Sequence, residues 1–175
     1  MKRVKVSKKF RQYMRRMKGY VGRQNPLTMM ATGPQKLARA VRGLTAAQLR
    51  RRPRPGKWSI REIVTHLADT ELTYAYRLRA MLAEPGSTIV GYDQDRWNRV
   101  AGRARRPLGE LLEQIRVVRH ANLRLLRSVP RPWWSRYGMH TERGRETVSR
   151  MVWLLAGHDV NHRRQIQALR RQFGC

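Results

Sequence analysis

Acidic residues are missing from the first third of this chain. None precedes Glu62, although residues 1–61 hold 19 of the 39 lysines and arginines. Cysteine is nearly as scarce. Cys175, the last residue, is the only one, so no disulfide framework can form within the chain. That is compatible with a reducing, cytoplasmic setting. Long apolar runs are absent too: none approaches the roughly 20 residues that span a bilayer, so the chain is not expected to be transmembrane. The N-terminus lacks the continuous apolar core of a secretory signal. There is no internal repeat, and no segment reads as a convincing strand.

What is present is a 175-residue chain with 41% apolar residues and a net charge of +28, enough for one domain with a sizeable core plus a short appendage. The charge attracts polyanions such as RNA, DNA or anionic lipid. A solvated surface with an arginine-heavy composition is the plainer reading, above all for residues 62–175. Residues 1–24 hold ten Lys or Arg. There Phe10, Tyr13, Met14, Met17, Tyr20 and Val21 recur at helical spacing, with Lys8, Lys9, Arg11, Arg15, Arg16 and Lys18 on the other faces. The pattern predicts a basic amphipathic helix closed by Gly22 and Asn25-Pro26. Its apolar side suits docking on the rest of the protein, on lipid, or on a partner such as ribosomal RNA. Residues 1–33 are expected to form a basic extension and residues 34–175 a helical bundle.

Four further helices are expected. The first runs from Pro34 to Leu44, with Leu37, Val41 and Leu44 as its stripe and Pro34 in its first turn. Thr45-Ala46-Ala47-Gln48 reads as a capping box that opens one more turn. Ser59-Ile60-Arg61-Glu62 is a second capping box. It starts a helix whose apolar face is Ile60, Ile63, Val64, Leu67, Tyr74, Leu78 and Leu82, ended by Glu84-Pro85-Gly86. Residues 85–107 form a long connection with few helical signals. That suggests a crossover rather than a plain up-down-up-down bundle. The third helix spans about Leu108 to Val129, with Leu111, Ile115, Val118, Asn122, Leu125 and Val129 inward. The fourth spans about Thr147 to Phe173, with Met151, Leu155, His158, His162, Ile166, Leu169 and Phe173 inward. The expected fold is all-α: a four-helix bundle with long crossover connections plus the basic N-terminal helix.

His158 and His162 lie four residues apart inside that last apolar stripe, so they stack on one face. Two imidazoles so placed can reach one ion at ligand distances of about 2.0–2.1 Å for zinc. Burying them without satisfying their nitrogens is costly. A metal would satisfy them, and so would buried hydrogen-bond partners. His66, flanked by Ile63 and Leu67, is positioned to add a third ligand from a facing helix. Three histidines leave a position open for water or substrate. His120 lies off its stripe and His140 sits in a loop, so neither is expected to ligate. Glu71, within an apolar row, and also Asp69 and Asp159, are candidates to accept from the outer nitrogens of the imidazoles, with solvated surface charge as the alternative.

Three motifs carry a resemblance. Pro55-Gly56-Lys57-Trp58-Ser59-Ile60-Arg61-Glu62-Ile63-Val64-Thr65-His66-Leu67-Ala68-Asp69-Thr70-Glu71 is similar to a helix signature of the DinB-like (YfiT-like) superfamily. Tyr92-Asp93-Gln94-Asp95 resembles a motif in that family's long loop. Ala156-Gly157-His158-Asp159-Val160-Asn161-His162-Arg163-Arg164-Gln165-Ile166 resembles its closing helix. Together they cover about residues 34–173. The resemblance implies a four-helix bundle with non-sequential helix order, and a metal site in which His66, His158 and His162 are the ligands. It implies zinc, nickel or iron as the metal, and a possible homodimer. It also implies activity as a metal-dependent hydrolase or a transferase or isomerase using a low-molecular-weight thiol, on a small-molecule substrate.

Under the enzyme reading, substrate would enter beneath the 85–107 loop. Trp97, Tyr92 and Trp134 would line the entrance unless they are core, and Arg96 or Arg99 would hold an anionic thiol. Under the alternative, the chain is a nucleic-acid- or ribosome-associated binding protein. Lys8, Lys9, Arg11, Arg15, Arg16 and Lys18 would then contact phosphates beside the aromatic residues of the arm, and the metal would be structural or vestigial.

Overall fold

The computed structural model describes residues 6–175, so the first five residues of the basic arm lie outside it. Seven helices are described: α1 (Lys8–Val21), α2 (Pro26–Val41), α3 (Ala46–Arg50), α4 (Ile60–Ala83), α5 (Gln94–Arg103), α6 (Leu108–Ser128) and α7 (Val148–Phe173). Three short strands accompany them: β1 (Thr88–Ile89), β2 (Tyr137–His140) and β3 (Gly144–Thr147).

The bundle consists of α2, α4, α6 and α7. α2 packs against α6 and α7, and α4 packs against the same two, so α2 and α4 lie diagonally across the bundle. Consecutive bundle helices are therefore not always neighbours, which rules out the up-down-up-down order. α1 lies on the outside against α7. No described helix is long and apolar enough to cross a membrane.

Both capping boxes form. Thr45 and Gln48 satisfy each other's backbone amides at the start of α3, and Ser59 and Glu62 do so at the start of α4. The apolar face expected for α4, from Ile60 to Leu82, is buried throughout.

The first bundle helix differs from expectation. It starts at Pro26, capped by the Asn25 side chain, and not at Pro34. Pro34 lies inside it, where a proline removes the bond to the carbonyl four residues back. That carbonyl, Met30 O, is met instead by the Arg119 side chain at 3.1 Å. On α6 the buried face is Leu111, Ile115, Arg119, Asn122, Leu123 and Leu126, turned slightly from the expected one, with Val118 and Leu125 only half-buried. Arg119 is buried because acids on two other helices meet it, which hydropathy periodicity does not register.

The two long connections also hold structure that the pattern did not announce. The 85–107 segment contains β1 and α5. The second contains the β2–β3 hairpin, which β1 joins in parallel, in the order β1-β2-β3. Strands of two to four residues are too short to show a period of two. His140 is accordingly a buried strand residue and not a loop residue. α5 is tied over the start of α4 by the Asn98 side-chain amide, which donates to Glu62 O at 2.8 Å.

Candidate metal centre

The capped start of α4 sets its phase, so His66 projects toward α7 between Ile63 and Leu67. On α7 the i, i+4 pair His158 and His162 occupies the same buried face as Met151, Leu155, Ile166 and Leu169. The three imidazoles meet. The Nε2 of His158 is 3.1 Å from the Nε2 of His66 and 3.1 Å from that of His162. One ring nitrogen from each lies within 4.8 Å of the others. All three side chains are buried, at 3%, 9% and 9% exposure for His66, His158 and His162.

Burial disfavours positive charge here. Desolvation, with His162 adding to it, lowers the His66 imidazole to about 3. Desolvation brings His162 to about 4 and holds His158 well below its ordinary value. At neutral pH the site is thus three uncharged rings with inward-facing nitrogens. The Nδ1 of His162 lies 3.0 Å from Oε1 of Gln165. A carbonyl oxygen accepts, so the proton of His162 belongs on Nδ1 and its Nε2 lone pair faces the cluster. The Nδ1 of His158 is buried and has no hydrogen-bond partner among the described residues.

These observations fit a divalent ion. Two nitrogens bound to one ion at about 2.0–2.1 Å, at angles from about 90° to tetrahedral, lie ~2.8–3.4 Å apart. The two 3.1 Å separations fall in that interval. Without an ion or a shared proton, paired lone pairs at this distance repel.

The acids take other partners. Glu71 and Asp159 both grip Arg119: its Nε lies 3.0 Å from Glu71 Oε1, and its Nη1 lies 2.6 Å from Asp159 Oδ2. Burial opposes the guanidinium's charge, but the two carboxylates outweigh it and raise its pKa. Asp69 is half-buried, with Arg106 as the neighbouring charge. No hydrogen bond from an imidazole to Glu71, Asp69 or Asp159 occurs among the described residues. The side chain that does accept from a cluster ring is Gln165. Its signal was its place three residues after His162 on the same helix face.

The cluster lies at the wall of a cleft of about 620 Å³. Trp58 covers it from one side, its ring 4.9 Å from that of His66 and 6.4 Å from that of His162, nearly parallel to the latter. The Trp58 indole donates to Asp95 at 2.9 Å, which ties the Tyr92–Asp95 segment to the site. Tyr92 lines the cleft as expected, with its hydroxyl 3.4 Å from that of Thr70. Trp97 packs behind Tyr92 at 4.6 Å. Trp134 lies elsewhere, in a hollow beside the start of α2. Arg96 pairs with Asp93, and neither Arg96 nor Arg99 lines the cleft.

Lys8, Lys9, Arg11, Arg15, Arg16 and Lys18 are all exposed on α1, but Lys9 and Arg16 also face the cleft. Arg77 and Arg143 line it too, and neither stood out in the sequence. His120 is exposed and His140 is outside the cluster.

A family model described as the DinB superfamily matches residues 29–166. A protein of Bacillus mycoides (strain KBAB4), provisionally named a metal-dependent hydrolase, is 26% identical over 139 residues, 79% of this chain and 80% of that one. A protein of Bacillus cereus (strain 03BB102) with the same provisional name is 25% identical over the same shares. Among solved structures, YfiT from Bacillus subtilis matches with a TM-score of 0.79 at 23% identity, covering 99% of this chain and 93% of that one. It is described, provisionally, as a metal-dependent hydrolase with an unusual four-helix bundle topology. The likeness to YfiT speaks for the fold.

Proposed function

The chain belongs to the DinB superfamily, and from that premise we propose that it is a metal-dependent enzyme acting on a small molecule, with His66, His158 and His162 as the ligands of one divalent ion. The single observation that carries this reading is the convergence of three buried imidazole nitrogens beside an open cleft. Three ligands leave coordination free for a reactant, as in catalytic rather than structural sites. Zinc, nickel and iron all accept imidazole nitrogen. Such an ion, when bound, supplies Lewis-acid chemistry that makes water or a low-molecular-weight thiol nucleophilic near neutral pH. Water would make the enzyme a hydrolase, in keeping with its relatives' provisional names, and a thiol would make it a transferase.

The chain's own residues do the positioning. Gln165 holds the His162 proton on Nδ1 and so aims Nε2 inward. Trp58 excludes water from one side of the rings, and its bond to Asp95 anchors it. Tyr92 and Thr70 offer hydroxyls on the cleft wall.

The reading is tested by elemental analysis of protein purified without a polyhistidine tag. The wild type is expected to hold close to one divalent ion per chain and His158→Ala close to none. A panel of ester and amide hydrolyses, and of thiol additions, then assigns the reaction, with activity expected only in metal-loaded protein. Wild-type protein that retains no ion from a mixture of zinc, nickel and iron would reject the proposal.

A further inference from the structure

We propose that α1 is the specificity-determining wall of this cleft, and that through Tyr13 and Arg16 it binds the anionic end of a substrate whose remainder is apolar or aromatic. This rests on the histidine cluster being the reacting centre. The sequence invites a different role for α1, a mobile basic arm that tracks a polyanion. Two sets of observations argue against that and for the wall.

The first is how firmly α1 is seated. Met17 is fully buried. It packs where Gly157 leaves no side chain: a Cβ at residue 157 would fall 2.8 Å from the Met17 carbonyl oxygen and 2.9 Å from its Cβ. Gly157 directly precedes His158, so α1 docks beside the cluster. Two cation–π contacts pin the helix at either end. Arg143 lies 5.2 Å from the Phe10 ring, and Arg164 lies 4.7 Å from the Tyr20 ring.

The second is what the inward face presents. Lys9, Tyr13 and Arg16 recur at i, i+4 and i+7, so one face of α1 carries all three into the space shared with the histidines. Neither Lys9 nor Arg16 has a carboxylate within 4.0 Å among the described residues. Arg77, across the cleft, spends one N–H on Val90 O. Three acids share the cleft. Asp93 caps α5 and pairs with Arg96, and Asp95 accepts from Trp58. Glu142 sets its carboxylate against Gly91 with no basic partner within 4.0 Å among the described residues, so four cationic side chains, Lys9, Arg16, Arg77 and Arg143, still outnumber it there. Cationic groups without counter-charges around a cavity favour an anionic ligand. Phe10, Tyr13, Tyr74 and Tyr92 supply flat apolar surface beside them. Desolvation raises the Tyr13 phenol to about 12, so its hydroxyl stays protonated and able to donate.

The test uses the full chain, metal-free and zinc-loaded, with benzoate, phenylphosphonate and the neutral benzamide as probes, and reads affinity by calorimetry or ligand-observed NMR. Both anions are expected to bind about tenfold more tightly than benzamide, and Arg16→Ala to lose about tenfold for the anions alone. Tyr13→Phe should weaken anion binding while keeping the apolar surface. Arg15→Ala, which removes an equal charge from outside the cleft, should leave affinity unchanged. Benzamide binding as tightly as benzoate, or equal losses in Arg15→Ala and Arg16→Ala, would overturn the proposal. So would an RNA oligonucleotide that binds the wild type and is weakened equally by both substitutions. Zinc content separates the two readings. Arg16→Ala is expected to keep its zinc, so loss of anion binding at full occupancy bears on the wall, whereas a wild type without zinc bears on the metal site.

Discussion

Arg119 on α6 donates to the carbonyl oxygen of Met30 on α2, 3.1 Å away, and Pro34 is the reason that oxygen is free. The same guanidinium binds Glu71 on α4 and Asp159 on α7, so one buried side chain joins all four bundle helices. Gly33 makes room for the Asp159–Arg119 pair, because a Cβ there would lie 2.6 Å from Asp159 Oδ2 and 3.2 Å from Arg119 Nη1. Removing one partner of a buried charge network strands the others. Arg119→Met is therefore expected to cost about 3–5 kcal/mol. Chemical denaturation should show this as a lower midpoint at an unchanged slope. The triple variant Glu71→Leu, Arg119→Met, Asp159→Leu should recover most of the loss, since no charge is then left unpaired.

Gly157→Ala tests the seat of α1. Alanine in a helix interior is ordinarily worth about 1 kcal/mol over glycine. Here the added methyl meets the backbone of Met17 and cannot be absorbed by a side-chain rotation. The expected result is a net loss of stability with faster amide exchange in residues 8–21, read by hydrogen–deuterium exchange, while α4 and α6 stay protected. Unchanged exchange in α1 would mean that the helix is held by other contacts.

Metal linkage gives a third prediction. An ion that binds only the folded chain stabilises it by about 4 kcal/mol at a thousand times its dissociation constant. Chelator should lower the melting temperature of the wild type and leave that of His162→Ala unmoved. Gln165→Leu keeps all three imidazoles but removes the acceptor for His162 Nδ1, so zinc affinity should fall about 10–100-fold in a competition assay. Because Gln165 is exposed, chelated protein should melt at the same temperature with or without that substitution.

Four buried histidines shape the pH profile, the three of the cluster and His140. Of these, His140 can be tested apart from any bound ion. It is buried, and its Nδ1 accepts from the Glu142 amide at 3.1 Å, an interaction only the unprotonated nitrogen can make. Desolvation first, then the charges of Arg143 and Arg77, lower it to about 3 in the folded chain. Below the unfolded value near 6.5 the unfolded chain binds the proton and the folded one does not, so stability falls with pH. The contribution is complete above about pH 6.5 and is lost progressively toward pH 3. His140→Asn retains an acceptor without the titration. Denaturation midpoints measured between pH 7 and 4 should fall less steeply in that variant than in the wild type.

Much of the bundle was legible in the residues. The Ser59–Glu62 capping box located the start of α4, and the 4, 3, 4 spacing of apolar residues located α7 and, within it, the histidine pair. Those signals are local: a cap spans three residues, and a helix face repeats within two turns. The start of α2 was misread because Pro34 looks like a helix opening. The carbonyl that the proline leaves free is taken up by Arg119, far away in the chain. The strands were too short to carry a periodicity, and Glu71 and Asp159 looked like partners for imidazoles until an arginine 40 or more residues away claimed them.

By itself the sequence determined where α4, α6 and α7 run, roughly which face of each is apolar, and that three histidines lie on or beside such faces, because those properties follow from neighbours within a turn or two along the chain. Tertiary structure alone decided that α2 lies diagonal to α4, that Arg119 collects both acids, that Gln165 orients His162, and that the basic α1 faces the histidine cleft. Each of those depends on how side chains far apart in the chain fill a shared volume and satisfy one another's polar groups, which no local pattern encodes.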